Sequence, residues 1–425
     1  MIQIGIGVGR QGALSPTLRL SVALAALAVV ATLLAGCGSS ATADRGVGTT
    51  PTATTAPTPT PTATATSTPS RFVCANPPGS KLTYAYDDPS GNLMEVTGCS
   101  TPRLLIASSS GGYPIAWSPT NRYLMVSQPR TSGGGNQDVA IDVQTLKAVP
   151  TQYYGFTPCC PSGPATVRIF IGWLDDSTFL GALVTVPRSP SDLNSGPFTI
   201  VRVDLQTQRA TNVASILWAA DMQLRGSGAY LFYGGYQSKT EGGAYLHRIT
   251  LASGADTKLL PLGYAGPGVC MAGPPCNWTA PWDASPDSLH VIYHSPGPTR
   301  GPSDTYREPD TPLVYANVDG SSPSKPFGIK TATSITTPVF SPSGGYVVSA
   351  YSTYDPQASG AQTAIAAVGG SAAFVNRPFA AWRGDSAALV LLGQDGDVND
   401  TALYSLPGGA IVQLQALAAN YLWAN

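Results

Sequence analysis

The sequence has few charged residues, and their two signs nearly cancel. Of its 425 residues, 23 are Lys or Arg and 24 are Asp or Glu, so charged residues make up 11% and the formal net charge is −1. Proteins that bind nucleic acid carry a basic patch or stripe that releases counterions from the phosphate backbone. No such patch is visible along this chain. Nucleic acid is therefore not expected as a partner, and no polybasic face is available for anionic lipid.

Residues of familiar catalytic sites are also scarce. The chain contains three histidines, His247, His290 and His294, and no G-x-S-x-G stretch of the kind that exposes a serine nucleophile. His290 and His294 have an i, i+4 spacing, but LHVIYHS around them is typical of a strand, on which four residues span roughly 13 Å. Two rings that far apart cannot both reach one zinc ion. No metal site, no cofactor and no enzymatic activity are predicted.

Long apolar runs are absent except for one near the N-terminus. Residues 20–34 contain only Ser21 and Thr32 as polar residues, and Arg10 and Arg19 precede the run. Its length matches the apolar core of an export signal and is shorter than the roughly 20 residues that a transmembrane helix needs. The two arginines are not adjacent, so a twin-arginine signal is not indicated.

The apolar run ends in Leu34-Ala35-Gly36-Cys37. This stretch resembles the lipobox of bacterial lipoproteins at all four positions. The resemblance implies that residues 1–36 are a signal peptide, that Cys37 becomes lipidated after cleavage, and that the lipid holds the exported protein on the outer face of the bacterial cell membrane. A plain secretory signal and an uncleaved anchor are the alternatives.

A second change in composition follows Cys37. Residues 38 to about 70 consist largely of Thr, Pro, Ala and Ser. Such a segment cannot bury apolar surface, and its prolines favour extended conformations. Residues 37–70 are therefore predicted to be a lipidated cysteine followed by a disordered tether, and residues 71–425 a folded domain long enough for a sizeable core.

The cysteine count is consistent with export. Six cysteines remain if Cys37 carries a lipid, and an even number suits an oxidising compartment. These six are Cys74, Cys99, Cys159, Cys160, Cys270 and Cys276. Their spacing favours Cys74 with Cys99 and Cys270 with Cys276, which leaves Cys159 and Cys160 to pair with each other or elsewhere. No C-x-x-C spacing occurs, so disulfides that hold loops are predicted rather than a redox site.

A recurring pattern organises the domain. The string AWSPTNRYLMVSQ, which begins at Ala116, recurs five times in weaker form. In each copy an apolar or aromatic residue ends one strand, a turn follows, and a β-rich run leaves the turn as the next strand. The residues before the turns, here called the anchors, are Trp117, Trp173, Leu224, Ala284, Phe340 and Trp382.

Repeats spaced by 42 to 60 residues, with about four strands each, predict an all-β chain folded as a β-propeller. The pattern resembles the TolB-type propeller repeat, in which an aromatic residue precedes Ser-Pro-Asp-Gly. Trp117-Ser118-Pro119 and Phe340-Ser341-Pro342 match it best. Residues 81–106 have the pattern of the last three strands of a blade, and YLWAN near residue 423 can supply the missing first strand. Seven blades are favoured, and six are the alternative.

Two stretches outside the repeat are candidate binding sites. The loop from Gly263 to Trp282 is long and aromatic, and its candidate contact residues are Tyr264, Trp278 and Trp282. The adjacent Asp283 is interpreted as ordinary turn material.

Asp395, Asp397 and Asn399 resemble the start of a calcium loop. Asp400 stands where such a loop needs glycine, and Leu406 stands where it needs a bidentate Glu. A polar hairpin is therefore favoured at this place, and a weak Ca²⁺ site is the alternative.

Together these features predict a membrane-tethered extracytoplasmic propeller that binds an envelope protein, a peptide or a glycan. It is expected to be monomeric and to catalyse no reaction. The alternatives are a propeller hydrolase or lyase that uses carboxylates in the central channel, and a structural spacer of the cell envelope. One scaffold hosts many functions, so the fold alone does not decide between them.

Overall fold

The computed structural model describes residues 72–108, 112–129, 136–151, 165–186, 197–237, 244–263, 268–269, 275–276, 281–294, 313–324, 338–352, 361–393, 400–414 and 419–424. The predicted signal peptide, the lipidation site Cys37 and the tether lie outside these ranges. Within them, no helix has the length and apolarity that crossing a membrane requires.

The strands form seven antiparallel sheets, the blades, that follow one another along the chain. Blade 1 contains β1 (Thr83–Asp87), β2 (Leu93–Thr97) and β3 (Arg103–Ile106). Blade 2 contains β4 (Tyr113–Trp117), β5 (Tyr123–Pro129), β6 (Asn136–Asp142) and β7 (Lys147–Pro150). Blade 3 contains β8 (Ala165–Trp173), β9 (Thr178–Val186), β10 (Phe198–Asp204) and β11 (Ala210–Ile216). Blade 4 contains β12 (Trp218–Arg225), β13 (Tyr230–Tyr236), β14 (Ala244–Thr250) and β15 (Ala255–Gly263).

The remaining strands complete the ring. A two-stranded hairpin, β16 (Gly268–Val269) and β17 (Pro275–Cys276), separates blades 4 and 5. Blade 5 contains β18 (Trp282–Ala284), β19 (His290–His294) and β20 (Leu313–Asn317). Blade 6 contains β21 (Pro338–Phe340), β22 (Tyr346–Ser352), β23 (Ala361–Ala367) and β24 (Ala372–Val375). Blade 7 contains β25 (Phe379–Trp382), β26 (Ala388–Leu391), β27 (Ala402–Ser405) and β28 (Ile411–Gln413).

The ring closes with a strand from the far end of the chain. Strand β29 (Ala419–Trp423) pairs antiparallel with β1 and becomes the inner strand of blade 1, with Tyr84 opposite Trp423 and Ala85 opposite Leu422. The all-β, seven-bladed propeller is therefore confirmed, and so is the closure by strands from both ends.

The Ser-Pro turns end the inner strands because the serine side chain closes the turn. Ser341 Oγ accepts a hydrogen bond from the backbone N of Tyr346 at 3.1 Å, and Gly344 takes the left-handed conformation with φ of 74°. Ser118 and Ser285 make the equivalent bond in blades 2 and 5. A short side chain that bonds to nearby backbone favours a tight turn over continued strand.

Hydrophobic side chains fill the seams between blades. The described buried residues form seven clusters, and each cluster lies in one seam between neighbouring blades. Three anchor tryptophans add a hydrogen bond, because each donates from Nε1 to a backbone oxygen of the preceding inner strand. These bonds run from Trp117 to Leu422 at 3.1 Å, from Trp173 to Ala116 at 3.2 Å and from Trp382 to Val339 at 3.4 Å.

Candidate functional site

The meander of antiparallel strands gives the propeller two different faces. The turns that join first to second and third to fourth strands emerge on one side, here called the turn face. Each spans four or five residues, and together they comprise 98–102, 118–122, 143–146, 174–177, 205–209, 226–229, 251–254, 285–289, 341–345, 368–371, 383–387 and 406–410. None of them contains Phe, Tyr or Trp.

Neighbouring turns on the turn face bond to one another. The backbone N of Gly226 donates to Pro286 O at 3.0 Å, which joins blades 4 and 5. The backbone N of Ser343 donates to Ser386 Oγ at 2.8 Å, which joins blades 6 and 7. Short turns fixed in this way leave little adaptable surface for a partner.

The opposite side, here called the loop face, carries six long connections between strands, while the 20 residues 318–337 connect the end of β20 on the turn face to the start of β21 on the loop face. Because of the strand directions, residues 151–164, 187–197, 264–281, 295–312, 353–360 and 392–401 all leave and re-enter the propeller there. Their sequences contain the aromatic residues Tyr153, Tyr154, Phe156, Tyr264, Trp278, Tyr306 and Tyr354. They also contain four of the six cysteines that remain after Cys37. Most of these connection residues lie outside the described ranges.

The predicted binding loop joins blade 4 to blade 5 on the loop face. It starts where β15 ends at Gly263 and contains the hairpin of β16 and β17, in which Gly268 pairs with Cys276. Tyr264, Trp278 and Cys270 lie outside the described residues, so the pairing of Cys270 with Cys276 stays a prediction. The same is true of Cys159 and Cys160.

The prediction that Trp282 is a contact residue is wrong. It is the first residue of β18 rather than part of the loop, and it is 1% exposed. Its ring packs in the seam between blades 4 and 5 against Phe232 and Leu262. A ring buried there stabilises the fold and does not reach a partner.

The predicted pair Cys74 and Cys99 is a disulfide in the structure, with the two Cα atoms 5.5 Å apart. It ties the segment that precedes β1 to the turn between β2 and β3. The bond lies in blade 1, which the closing strand β29 also completes. The disulfide therefore holds blade 1 together and does not lie on the loop face.

The calcium candidates Asp395, Asp397 and Asn399 lie outside the described residues, but the neighbouring Asp400 is described. Arg377 donates to the backbone oxygen of Asp400 at 2.9 Å and to its carboxylate, and Gln413 donates to Asp400 Oδ1 at 2.7 Å. The bond from Arg377 holds the pKa of Asp400 below its ordinary value. Within the described ranges, no group of three or more His, Cys, Asp and Glu residues is placed to hold a metal ion.

A buried ion pair that the sequence does not indicate joins three blades. Arg225 donates from Nη2 to Asp283 Oδ1 at 2.7 Å, and the backbone N of Phe340 donates to Asp283 Oδ2 at 2.7 Å. Burial raises the pKa of Asp283 despite the opposing effect of Arg225. Both oxygens are engaged in the seams, so this carboxylate holds blades together instead of contacting a ligand.

A second polar cluster lies within blade 4. His247 is 2% exposed, and its Nδ1 lies 3.2 Å from Asp256 Oδ1, while its ring stacks on Tyr233 at 4.7 Å. Tyr233 donates from its hydroxyl to Asp256 Oδ2 at 2.5 Å. Burial alone would raise the pKa of Asp256, but the hydrogen bonds from His247, Tyr233 and Gln237 lower it. The bonds of the cluster link three neighbouring strands of blade 4, and the His247 ring is buried among them.

Comparison with known proteins assigns no family. No model of a known protein family matches the sequence, and no curated protein matches it. Solved structures do match. TolB from Acinetobacter baumannii is 14% identical over 82% of this chain and 68% of its own, with a TM-score of 0.39. An oligogalacturonate lyase in complex with manganese is 14% identical over 79% and 84%, with a TM-score of 0.47.

A prolyl endopeptidase structure is 13% identical over 80% of this chain, with a TM-score of 0.50, and the matched part is 49% of that endopeptidase. At this identity the likeness shows the fold alone. The prediction that the chain has no enzymatic activity is nevertheless wrong as it was argued. The same fold occurs within an enzyme, so the fold does not exclude catalysis. The chain is a seven-bladed β-propeller, and the comparisons leave its family within that fold unassigned.

Proposed function

We propose that the protein is an exported lipoprotein whose propeller binds an envelope protein, a peptide or a glycan on its loop face. Cys37 carries the lipid, residues 37–70 are the tether, and the processed protein is monomeric on the outer face of the bacterial cell membrane. One observation carries the binding proposal. Six long connections begin and end on the loop face and have seven aromatic residues in their sequences, whereas the turns of four or five residues on the turn face contain no Phe, Tyr or Trp.

Aromatic side chains on long connections suit recognition for a physical reason. Tyr and Trp supply large contact areas at low cost in side-chain entropy, and they are enriched among the residues that dominate binding energy. Long connections on a rigid scaffold can differ in shape without disturbing the core. The loop between Gly263 and Trp282 is therefore the first candidate, with Tyr264 and Trp278 as its contact residues.

The export proposal is supported by the disulfide and the lipobox together. Disulfides persist in oxidising compartments outside the cytoplasm, and Cys74 with Cys99 forms one in the folded domain. Leu34-Ala35-Gly36-Cys37 supplies the processing signature at the end of the apolar run. A single lipid chain binds a membrane only marginally, so stable anchoring requires more than one acyl chain on the lipid.

Lipidation is tested by replacing Cys37. For the native protein we expect a mature chain that starts at Cys37, carries acyl groups by mass spectrometry and sediments with membranes. Cys37→Ser should lose the acyl groups and the processing. A native chain that is released without acyl groups would indicate a plain secretory signal, and one that keeps residues 1–36 would indicate an uncleaved anchor.

Binding is tested with the processed protein in detergent, against envelope extract and a glycan panel, followed by titration of each hit. We expect a saturable complex with a dissociation constant near about 1 μM, weakened about 10-fold or more by Trp278→Ala or Tyr264→Ala. Leu289→Ala is the matched control, because Leu289 is 61% exposed on the turn face. A hit that the control abolishes and the loop variants leave unchanged would overturn the assignment of the loop face.

A further inference from the structure

The segment before the first strand is fastened to blade 1. Residues 72–76, here called the strap, contain Ala75, which is fully buried, and Asn76, which is 5% exposed. The backbone N of Ala75 donates to the hydroxyl of Tyr84 at 3.3 Å. The strap therefore joins the packed part of blade 1 before β1 begins.

The side chain of Asn76 connects three parts of blade 1. Its Nδ2 donates to Leu82 O at 2.8 Å and to Gly98 O at 2.7 Å. Its Oδ1 accepts a hydrogen bond from Nε1 of Trp423 at 2.9 Å, across a separation of 347 residues. Both amide hydrogens and the carbonyl oxygen are thus used, which fixes the orientation of the amide. The strap, the turn after β2 and the closing strand β29 meet at this one side chain.

The disulfide holds the same pieces of backbone that Asn76 connects. Cys74 is two residues before Asn76, and Cys99 directly follows Gly98, whose carbonyl accepts from Asn76. Aromatic stacking continues the arrangement, with Phe72 against Tyr86 at 6.2 Å and Tyr86 against Tyr421 of β29 at 5.5 Å. The disulfide, the Asn76 hydrogen bonds and the aromatic stacking therefore hold the strap on blade 1 together.

Strand β29 needs such support because no short turn attaches it to its blade. In the other described blades, a turn of four or five residues links the inner strand to its neighbour. Strand β29 instead joins β1 without a connecting turn, through backbone pairing that has a bulge between Ala85 and Asp87 and through side-chain contacts between the two strands. The pairing of β29 with β1 inside blade 1 is thus the place where the ring can open without breaking the chain.

We propose that the strap and the Cys74–Cys99 disulfide form a redox-dependent latch for ring closure. With the disulfide intact, Asn76 is held under Trp423 and β29 stays paired with β1. A dithiol reductant transfers two electrons and two protons, the sulfur–sulfur bond breaks, both cysteines become thiols and the reductant becomes a disulfide. The strap is then released, and β29 loses its contact with Asn76 while the other six blades keep their packing.

Hydrogen exchange measured by mass spectrometry tests the latch on the processed protein. We expect Cys74→Ser/Cys99→Ser to speed exchange about 10-fold or more in residues 419–424 and 83–87, with smaller changes in blades 3 to 6. Cys270→Ser/Cys276→Ser is the matched control and should leave β29 unchanged. Because reducing agents also reach other cysteines, the variants isolate this bond.

A second variant keeps the inference open to refutation if the double serine variant does not fold. Asn76→Asp retains the disulfide but removes the donors to Leu82 and Gly98, and it should speed exchange in β29 in the same direction. Unchanged exchange in β29 for every variant that folds would overturn the latch. Faster exchange spread evenly over all blades would also overturn it, because it would indicate a loss of general stability.

Discussion

Arg225 of β12 and Asp283 of β18 form an ion pair of 2.7 Å that joins blades 4 and 5. Asp283 also accepts a hydrogen bond from the backbone N of Phe340, so one carboxylate links the inner strands of three consecutive blades. The anchors of these blades are Leu224, Ala284 and Phe340, none of which has an indole N–H. The Asp283 carboxylate thus connects blades 4, 5 and 6, whose anchors cannot make the tryptophan bond.

Removing the cation from this pair should destabilise the protein strongly. Arg225→Leu leaves the Asp283 carboxylate buried without its partner, and breaking a buried pair in this way costs about 3–5 kcal/mol. Urea unfolding followed by tryptophan fluorescence measures the loss. The double variant Arg225→Leu/Asp283→Leu should be less destabilised than the single one, since no charge remains in the seam. Equal stability of Arg225→Leu and the native protein would contradict the role assigned to the pair.

The repeat tryptophans should contribute through their indole N–H as well as through their area. Trp173→Phe keeps a ring in the seam between blades 2 and 3 but removes the bond to Ala116 O, at an expected cost of about 1–2 kcal/mol. Trp173→Ala also leaves a cavity and should cost about 3–5 kcal/mol. Thermal and urea unfolding distinguish the two. If the Phe variant were as unstable as the Ala variant, the hydrogen bond rather than packing would dominate.

Asp87 should make stability depend on pH. Burial raises the pKa of Asp87 from 3.8 to about 6, against the lowering effect of the hydrogen bond from Asn420. The folded protein therefore holds this proton more tightly than the unfolded chain, so the group stabilises the fold below about pH 4 and that contribution is lost as the pH rises through about 6.

Replacing Asp87 isolates this effect from the other carboxyl groups. Relative to the native protein, Asp87→Asn should gain unfolding free energy as the pH rises from about 4 to about 7. Urea unfolding of both proteins at several pH values gives the difference directly. A difference that stays constant over this range would show that Asp87 has an ordinary pKa in the folded protein.

Strand β29 should be required for a closed ring. A chain that ends at residue 418 lacks the inner strand of blade 1, including Trp423, whose indole contacts Asn76, and Leu422, whose carbonyl accepts from Trp117. We expect loss of cooperative thermal unfolding and an increased hydrodynamic radius by size-exclusion chromatography. A chain that lacks only Asn425 is the control and should behave as the native protein. A compact, cooperative truncated protein would indicate that six blades close without β29.

Much of the fold can be predicted from the sequence because each blade repeats a local signal. A strand-ending apolar residue followed by a Ser-Pro turn is legible within a few residues, and the inner strands end at Trp117, Trp173, Phe340 and Trp382 as the repeats predict. The incomplete first blade likewise indicates closure from the far end of the chain. Local rules and the global ring agree at these places.

Interactions between blades were beyond prediction because their partners are far apart in sequence. Asp283 stands beside a Ser-Pro turn, so local pattern assigns it to the turn, whereas its partner Arg225 lies 58 residues earlier. Trp282 follows an aromatic loop, and tryptophan is a residue type that is common in binding sites. The strand that begins at Trp282 nevertheless buries its side chain. Register and burial, rather than residue type, decide both cases.

The position of β29 at the far end of the chain means that the ring can close only late in synthesis. Strand β1 is made early, but its inner partner β29 emerges only after more than three hundred further residues have been synthesised. Until then the inner edge of β1 stays without its partner, and blades that form in the meantime are an open arc instead of a ring. Both cysteines of the Cys74–Cys99 bond are made before β29 as well, so this bond can fix the segment before β1 on blade 1 ahead of the arrival of the last strand.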